Sequence, residues 1–492
     1  MGKRYILAFD QGTTSSRSIL FDAQGQIVAC AQREFPQIYP QPGWVEHDPK
    51  AILDTQLETA REVLHAANAS ADEIAAIGIT NQRETTVLWD RKTKEPLHNA
   101  IVWQCRRTTD LCEQLRGENL EHEVRRRTGL VIDAYFSGTK MKWLLDKVPG
   151  ARERAERGEL CCGTIDAWLL HNLCDVFATD YSNACRTMLF NIHDLKWDDV
   201  MLECLGVPPA LLPEVFPTSH VYGETSIFGC SIPVASLVGD QQGALFGQAA
   251  FSRTECKNTY GTGCFLVMNT GSEAVESKHG LITSVAWGLD GQVDYALEGS
   301  IFVAGAVVQW LRDELKLLTT AAQSEDVARE VSDTGGVYIV PAFVGLGAPH
   351  WDMRARGAIS GITRGTSRAH LVRAALESIS YQSADVVRTM ENDTGEKIPR
   401  MRVDGGACAN NFLLQHQADV LNIPVVRGKI IETTALGAAF LAGLAVGFWR
   451  DKQQLADLWQ EDRVFTPQWN DAQREAAVKG WLAAVESVRT HP

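Results

Sequence analysis

The sequence predicts an α/β protein of two related lobes, and three observations carry that expectation. Short apolar runs of strand length alternate with longer helical patterns along the whole chain. At 492 residues, the chain exceeds what one hydrophobic core usually supports. Two similar hairpins, each with a hydroxyl- and glycine-bearing turn beside an apolar strand, stand about half a chain apart, at Asp10–Arg17 and Asn258–Met268. That echo suggests a duplicated domain, with one lobe over 1–247 and the other over 248–492.

The elements follow in order. Tyr5–Phe9 reads as a buried strand and Arg17–Asp22 as the strand returning from it. Pro49–Ala67 has a helical pattern, and Ile74–Ile79 is a second strand, with Thr85–Trp89 expected as its neighbour and Ala100–Trp103 as a third. Helices are predicted over Thr139–Lys147, His370–Glu391 and Asn411–Leu421, the last with Phe412, Leu413, Gln417, Val420 and Leu421 on one face. Ala435–Trp449 is the longest uncharged stretch; it is too short and too rich in Gly and Ala for a membrane span, so a buried, closely packed helix is expected. Near the end, Ala477, Trp481, Ala484 and Val488 make a stripe after Pro467 and a helix cap at Asn470.

Composition narrows the function. With 45% hydrophobic and 22% charged residues the chain is ordinary for a globular protein, and a net charge of −14 argues against a sequence-independent nucleic-acid binder. Twelve scattered cysteines without a C-x-x-C pair suit reduced thiols in the cytoplasm. The apolar stretch after the basic start stops at Asp10, too short for a signal peptide.

Neither G-x-x-x-x-G-K-[ST] nor G-x-G-x-x-G is present. Instead, four separate turns each suit part of a nucleotide. The first, Asp10–Arg17, offers hydroxyl and backbone donors to phosphate, and Asp10 is an oxygen ligand fit for a hydrated Mg²⁺. The second, Gly239–Gly243, sets Asp240 and two amides after the apolar run Val234–Val238. The third is Tyr260–Gly263, and the fourth Val403–Asn410, where two glycines precede a helix start. Each alone also fits an ordinary turn. A further pair of strand ends, Asn81–Thr86 and Val102–Arg107, places the donor fork of Arg83 beside the acceptor Glu84, a pairing suited to neighbouring hydroxyls. Trp103, Tyr135 and Phe265 could wall a short carbon chain, although single aromatics more often belong to a core.

The four turns in this order resemble the sugar-kinase, actin and Hsp70 superfamily, whose two actin/ribonuclease H-like lobes clamp ATP-Mg²⁺ between facing loops. Within it the chain resembles the FGGY carbohydrate kinases. Tyr135–Asp146 matches the N-terminal signature of that family, with Lys147 where a neutral amide, His or Glu is usual. Gly357–Ile362, followed by His370-Leu371 and Ala374–Glu377, matches the C-terminal one. The run Gln82–Thr86 with Trp103–Arg107 is similar to members that phosphorylate glycerol to sn-glycerol 3-phosphate; another FGGY kinase, acting on a pentulose or other polyol, is the alternative. The resemblance implies Asp240 as general base, and Arg83, Glu84, Tyr135, Asp240 and Gln241 as polyol contacts with Trp103 and Phe265 as apolar wall. It implies Thr13, Thr14, Ser15, Arg17, Thr262, Gly305, Gln309, Gly406 and Asn410 as ATP contacts. Asp10 and Asp240 are expected to face Mg²⁺, mainly through water, and the enzyme to be a cytoplasmic homo-oligomer, dimer or tetramer. A nucleotide-gated interaction protein of the actin or Hsp70 kind would have no use for the Arg83-Glu84 pair.

Overall fold

Two twisted sheets organise the chain, and the computed structural model describes residues 2–490 of it. The first sheet contains β1 (Tyr5–Gln11), β2 (Ser15–Asp22), β3 (Ile27–Glu34), β4 (Ile74–Asn81), β5 (Ser219–Thr225) and β6 (Ile232–Gly239), in the order β5-β6-β4-β1-β2-β3. The second contains β7 (Cys256–Tyr260), β8 (Cys264–Gly271), β9 (Ile282–Leu289), β10 (Gln292–Ile301), β11 (Met401–Asp404), β12 (Val425–Gly428) and β13 (Glu461–Phe465). Its order is β9-β10-β8-β7-β11-β12-β13.

Both sheets share one unit. In the first, β3, β2 and β1 are antiparallel and β4 and β6 follow parallel to β1. In the second, β10, β8 and β7 are antiparallel and β11 and β12 follow parallel to β7. Tight turns can join the antiparallel strands, whereas the parallel ones need crossovers. In the first lobe α1 (Pro49–Ala66), started by Pro49 and by the Asp48 carboxylate accepting from the Lys50 N–H, supplies one crossover. The long segment 82–231 supplies the next and carries α2 (Ser137–Lys147). It is followed by α3 (Asp240–Gly247), α4 (Gly305–Asp313), α5 (Arg368–Thr394), α6 (Asn411–Leu421), α7 (Thr433–Ala445) and α8 (Asp471–Glu486), which the Asn470 side chain caps.

The helix predictions hold to within a few residues, but two strand expectations need correction. Val87–Asp90 pairs with Leu160–Gly163, not with β4. The place beside β4 belongs to β6, whose buried apolar run suits a parallel strand covered on both faces. In the Ala100–Trp103 stretch only Ala100–Ile101 is strand, and it pairs with Glu46–His47.

The uncharged stretch is the buried helix expected, although it ends at Ala445. Beyond it Trp449 folds back onto Gly443, where a Cβ would lie 2.1 Å from the indole. α7 crosses α3 backbone to backbone: a Cβ at Gly437 would lie 1.9 Å from the Gly243 carbonyl oxygen, and one at Gly247 2.0 Å from that of Thr433. It also runs beneath the first sheet, where Ser236 Oγ donates to Ala438 O at 2.8 Å. Ile6, Val238 and Phe246 therefore share one apolar cluster with Ala435 and Phe440, spanning both lobes. Among the described residues no helix is long and apolar enough to cross a membrane.

Candidate active site

Past the end of β4 the chain turns at Glu84, which has φ +61°, a left-handed conformation that a non-glycine residue adopts at a cost. Three donors hold its peptide there. The Glu84 carbonyl accepts from Ser137 Oγ at 3.0 Å, Lys140 Nζ at 3.1 Å and Thr86 Oγ1 at 3.0 Å. Lys140 is fully buried, also donates to Tyr135 O at 2.5 Å, and burial lowers its ammonium to about 8. Gly138 permits this approach of α2, since a Cβ there would stand 2.6 Å from Thr187 O. The Tyr135–Asp146 motif thus braces the turn that presents Arg83 and Glu84.

Those two side chains belong to a buried charge array. Arg83 Nη1 donates to both Glu298 oxygens at 2.8 and 2.9 Å and to Gln242 Oε1 at 2.9 Å, while Nε lies 3.2 Å from Asp240 Oδ1. Arg186 Nε donates to Glu84 Oε1 at 2.5 Å, and its guanidinium lies over the rings of Tyr135 and Phe136 at 5.3 and 5.0 Å. Burial raises the Glu84 carboxyl above its ordinary range, against the opposing charges of Arg186 and Arg83. The Glu298 carboxyl is instead held at about 2: its burial is outweighed by Arg186 and Arg83 together. Sequence reasoning did not single out Arg186 or Glu298. The available signal was a carboxylate inside a strand buried over Tyr295–Ile301, which must find a partner.

Asp240 lies in no loop: the Gly239–Gly243 stretch read as a turn is the end of β6 running straight into α3, with Asp240 as its first residue. Its Oδ1 accepts from the Gln241 N–H at 2.7 Å, Oδ2 makes no hydrogen bond among the described residues, and the side chain is 34% exposed. The Gln241 side-chain oxygen Oε1 accepts from buried Lys257 Nζ, which also donates to Thr259 Oγ1 at 2.7 Å. Trp103 and Tyr135 meet edge to face at 5.6 Å, and Trp103 Nε1 donates to Thr13 Oγ1 at 2.9 Å, joining the aromatic wall to the first hairpin. Phe265, half-buried on β8, makes no ring contact with either among the described residues.

In that hairpin Gly12 N–H donates to Ser15 O at 3.0 Å, and Thr14 is exposed. Ser15 Oγ accepts from Gln32 at 2.8 Å, and Arg17 pairs with Glu432 at the start of α7. Burial pushes the Asp10 carboxyl up to about 6, opposed by Arg17 and reinforced by Glu432 and Asp240. No group of three or more His, Cys, Asp or Glu able to hold a metal exists among the described residues.

The second lobe holds a cavity of about 410 Å³, and Thr262, Gly305, Gln309, Gly406 and Asn410 all line it. Its walls require glycine: a Cβ at Gly305 would stand 2.6 Å from Gly261 O, and Gly405 has φ +87° with Tyr260 O 2.5 Å from its would-be Cβ. The N-termini of α4 and α6 open onto it, a disposition that favours an anion. The structure therefore gathers the five second-lobe residues in one cavity. It gathers Arg83, Glu84, Tyr135 and Asp240 round the charge array. Thr13, Ser15 and Arg17 each already have a protein partner.

Comparison with known proteins adds to this geometry. The model of the FGGY carbohydrate-kinase N-terminal domain matches residues 5–247, and that of the C-terminal domain matches 256–446. The chain is 60% identical over 487 residues to a glycerol kinase of Caldanaerobacter subterraneus subsp. tengcongensis, covering 98% of each chain. It is 61% identical over 493 residues to a glycerol kinase of Symbiobacterium thermophilum, covering 99% of each. The crystal structure of Plasmodium falciparum glycerol kinase with ADP superposes with a TM-score of 0.94 at 36% identity, over 100% of both chains. Xylulose kinase of Lactobacillus acidophilus, at 24% identity and TM-score 0.88 over 99% of this chain and 98% of that one, shares the fold.

Proposed function

The chain belongs to the FGGY family of carbohydrate kinases, and from that premise we propose that it transfers the γ-phosphoryl group of ATP to a terminal hydroxyl of glycerol, giving sn-glycerol 3-phosphate. The observation that carries this reading is the braced Arg83-Glu84 turn beside Asp240, whose Oδ2 has no partner among the described residues. Full-length identity near 60% to glycerol kinases, against 24% to a xylulose kinase, supports glycerol over a pentulose.

The mechanism follows from this chain's own groups. Arg83 and Glu84 hold adjacent hydroxyls of glycerol; Tyr135 and Gln241 add polar contacts, and Trp103 with Phe265 covers the carbon chain. Adenine and ribose occupy the second-lobe cavity between Thr262, Gly305, Gln309, Gly406 and Asn410. Thr13, Thr14, Ser15 and Arg17 face the phosphates, so Arg17 exchanges Glu432 for phosphate oxygen when nucleotide binds. The substrate oxygen attacks the γ-phosphorus in line, the bond to the β-phosphate oxygen breaks, and ADP departs. Asp240 Oδ2 takes the hydroxyl proton, while Oδ1 stays anchored to the Gln241 N–H. Asp10 and Asp240 would hold a hydrated Mg²⁺: burial raises the Asp10 carboxyl, Arg17 opposes that rise and Glu432 and Asp240 add to it, so a cation beside it would favour its charged form. Mg²⁺ held there with nucleotide would supply neutralisation of phosphate charge.

On this reading residues 1–247 carry the polyol site and 248–492 the nucleotide cavity, the reaction belongs to the cytoplasm, and the enzyme is a dimer or tetramer, which light scattering checks. The deciding assay is ADP release with glycerol, with xylulose and with no acceptor. Release that depends on glycerol is expected; equal release with xylulose, or none with glycerol, overturns the reading.

A further inference from the structure

Resting on the reading that Arg83 and Glu84 hold glycerol, we propose that Glu298 and Arg186 are positioning residues of the polyol site. In this role the second lobe, through Glu298, supplies the counter-charge that keeps Arg83 aimed at substrate. Arg83 and Arg186 are two fully buried cations of the first lobe, and each needs an anion. Glu298, on β10 of the second lobe, reaches both: Arg83 Nη1 at 2.8 Å and Arg186 Nη1 at 3.3 Å. Ser284 Oγ donates to Glu298 Oε1 and fixes that carboxylate from its own sheet. Arg186 in turn grips Glu84 Oε1. The order Arg83, Glu298, Arg186, Glu84 alternates in sign, and two cations cancel two anions.

The array does more than satisfy its own members. Two ion pairs buried this deeply are costly, and apolar side chains could fill the same volume without desolvation. What the pairs provide is orientation. With Nη1 and Nε of Arg83 engaged by protein, Nη2 is left without a partner among the described residues; with Oε1 of Glu84 engaged, Oε2 is left likewise. One donor and one acceptor are thereby presented from immobilised side chains, the complement of two adjacent hydroxyls. The Nη atoms of Arg186 are buried without a hydrogen-bond partner, so this guanidinium acts through Glu84, the charge of Glu298 and the Tyr135 ring. Without Glu298 the nearest remaining carboxylate for Arg83 is Asp240, 3.2 Å from Nε, and the fork loses its aim.

The test is steady-state kinetics of Glu298→Gln beside wild type, with circular dichroism to confirm folding. The KM for glycerol should rise at least about tenfold while the KM for ATP stays within about twofold. A glycerol KM within about twofold of wild type overturns the proposal, as does a parallel rise in both KM values, which marks a merely structural role. Ser284→Ala, which removes only the donor that fixes Glu298, decides the matter if the first variant does not fold. It should raise the glycerol KM about threefold, and no change overturns the proposal. Arg186→Lys should fall between wild type and Arg186→Met in glycerol KM; equal values for Lys and Met overturn the role of its charge. Wild-type enzyme inactive on glycerol would defeat the underlying reading, a different result from an active wild type with an indifferent Glu298→Gln.

Discussion

A carboxylate that takes a proton from substrate needs one oxygen anchored and the other free. Asp240 meets that condition: its Oδ1 accepts from the Gln241 N–H at 2.7 Å beside Arg83, and its side chain is 34% exposed. Asp240→Asn preserves the shape but not the proton acceptance, so kcat with glycerol should fall by about 10²–10⁴. The ADP dissociation constant should change little, because the second-lobe cavity contains no atom of Asp240. Near-normal kcat in folded protein reassigns the base. At this scale the sequence disclosed residue types but not their partners. Arg83 and Glu84 could be picked out as a donor beside an acceptor, yet nothing local showed that Arg186, 102 positions further along the chain, would hold Glu84. Gln241 was legible as an amide in a motif; that buried Lys257 donates to its side-chain Oε1 follows from two lobes meeting.

Helices and strands were legible where their periodicity was local. Asn411–Leu421 is helical over the very residues its apolar face predicts, with Asn410 capping the Leu413 N–H. Val87–Asp90 was recognisable as strand but assigned the wrong partner, because pairing depends on which other strand competes for the sheet edge. Glycines at the α3–α7 crossing give the sharpest element-level expectation. A Cβ at Gly437 would sit 1.9 Å from Gly243 O, and backbone cannot yield as a flexible side chain can. Gly437→Ala should destabilise by about 1–3 kcal/mol, as overpacking does, and lower the melting temperature in thermal unfolding. It should also reduce kcat, since α3 begins at Asp240. Gly117→Ala, at the end of the helix Thr109–Gly117 with nothing within 4 Å of the added carbon, is the control and should not lower the melting temperature.

The two sheets share one five-stranded unit, and the lobes are joined by α7 beneath the first sheet and by Glu298 at the Arg83-Arg186 charge array. That cross-lobe pair links stability to pH. The Glu298 carboxyl, held at about 2 against an ordinary 4.5, contributes stability that is present above the ordinary value and lost as pH falls toward the lower one. The difference in unfolding free energy between wild type and Glu298→Gln should therefore narrow between about pH 5 and pH 3 in urea titrations. Asp166, which burial raises to about 7, has the opposite sign, its contribution fading as pH rises toward that value; it is common to both proteins and cancels in the difference. A gap that stays constant over this range removes the linkage.

By itself the sequence determined the two-lobed α/β class, the main helices, the glycines that line the second-lobe cavity and the family, because periodicity, turn chemistry and motif spacing are written in consecutive residues. Only the tertiary structure decided which strand stands beside β4, that Asp240 opens a helix, that α7 serves the opposite lobe, and that Arg186 and Glu298 complete the buried charge array round Arg83 and Glu84. The reason is physical: a buried charge is tolerated only where an opposite charge comes to meet it, and that meeting is made by the folded backbone across more than two hundred residues, as the Arg83–Glu298 separation of 215 shows.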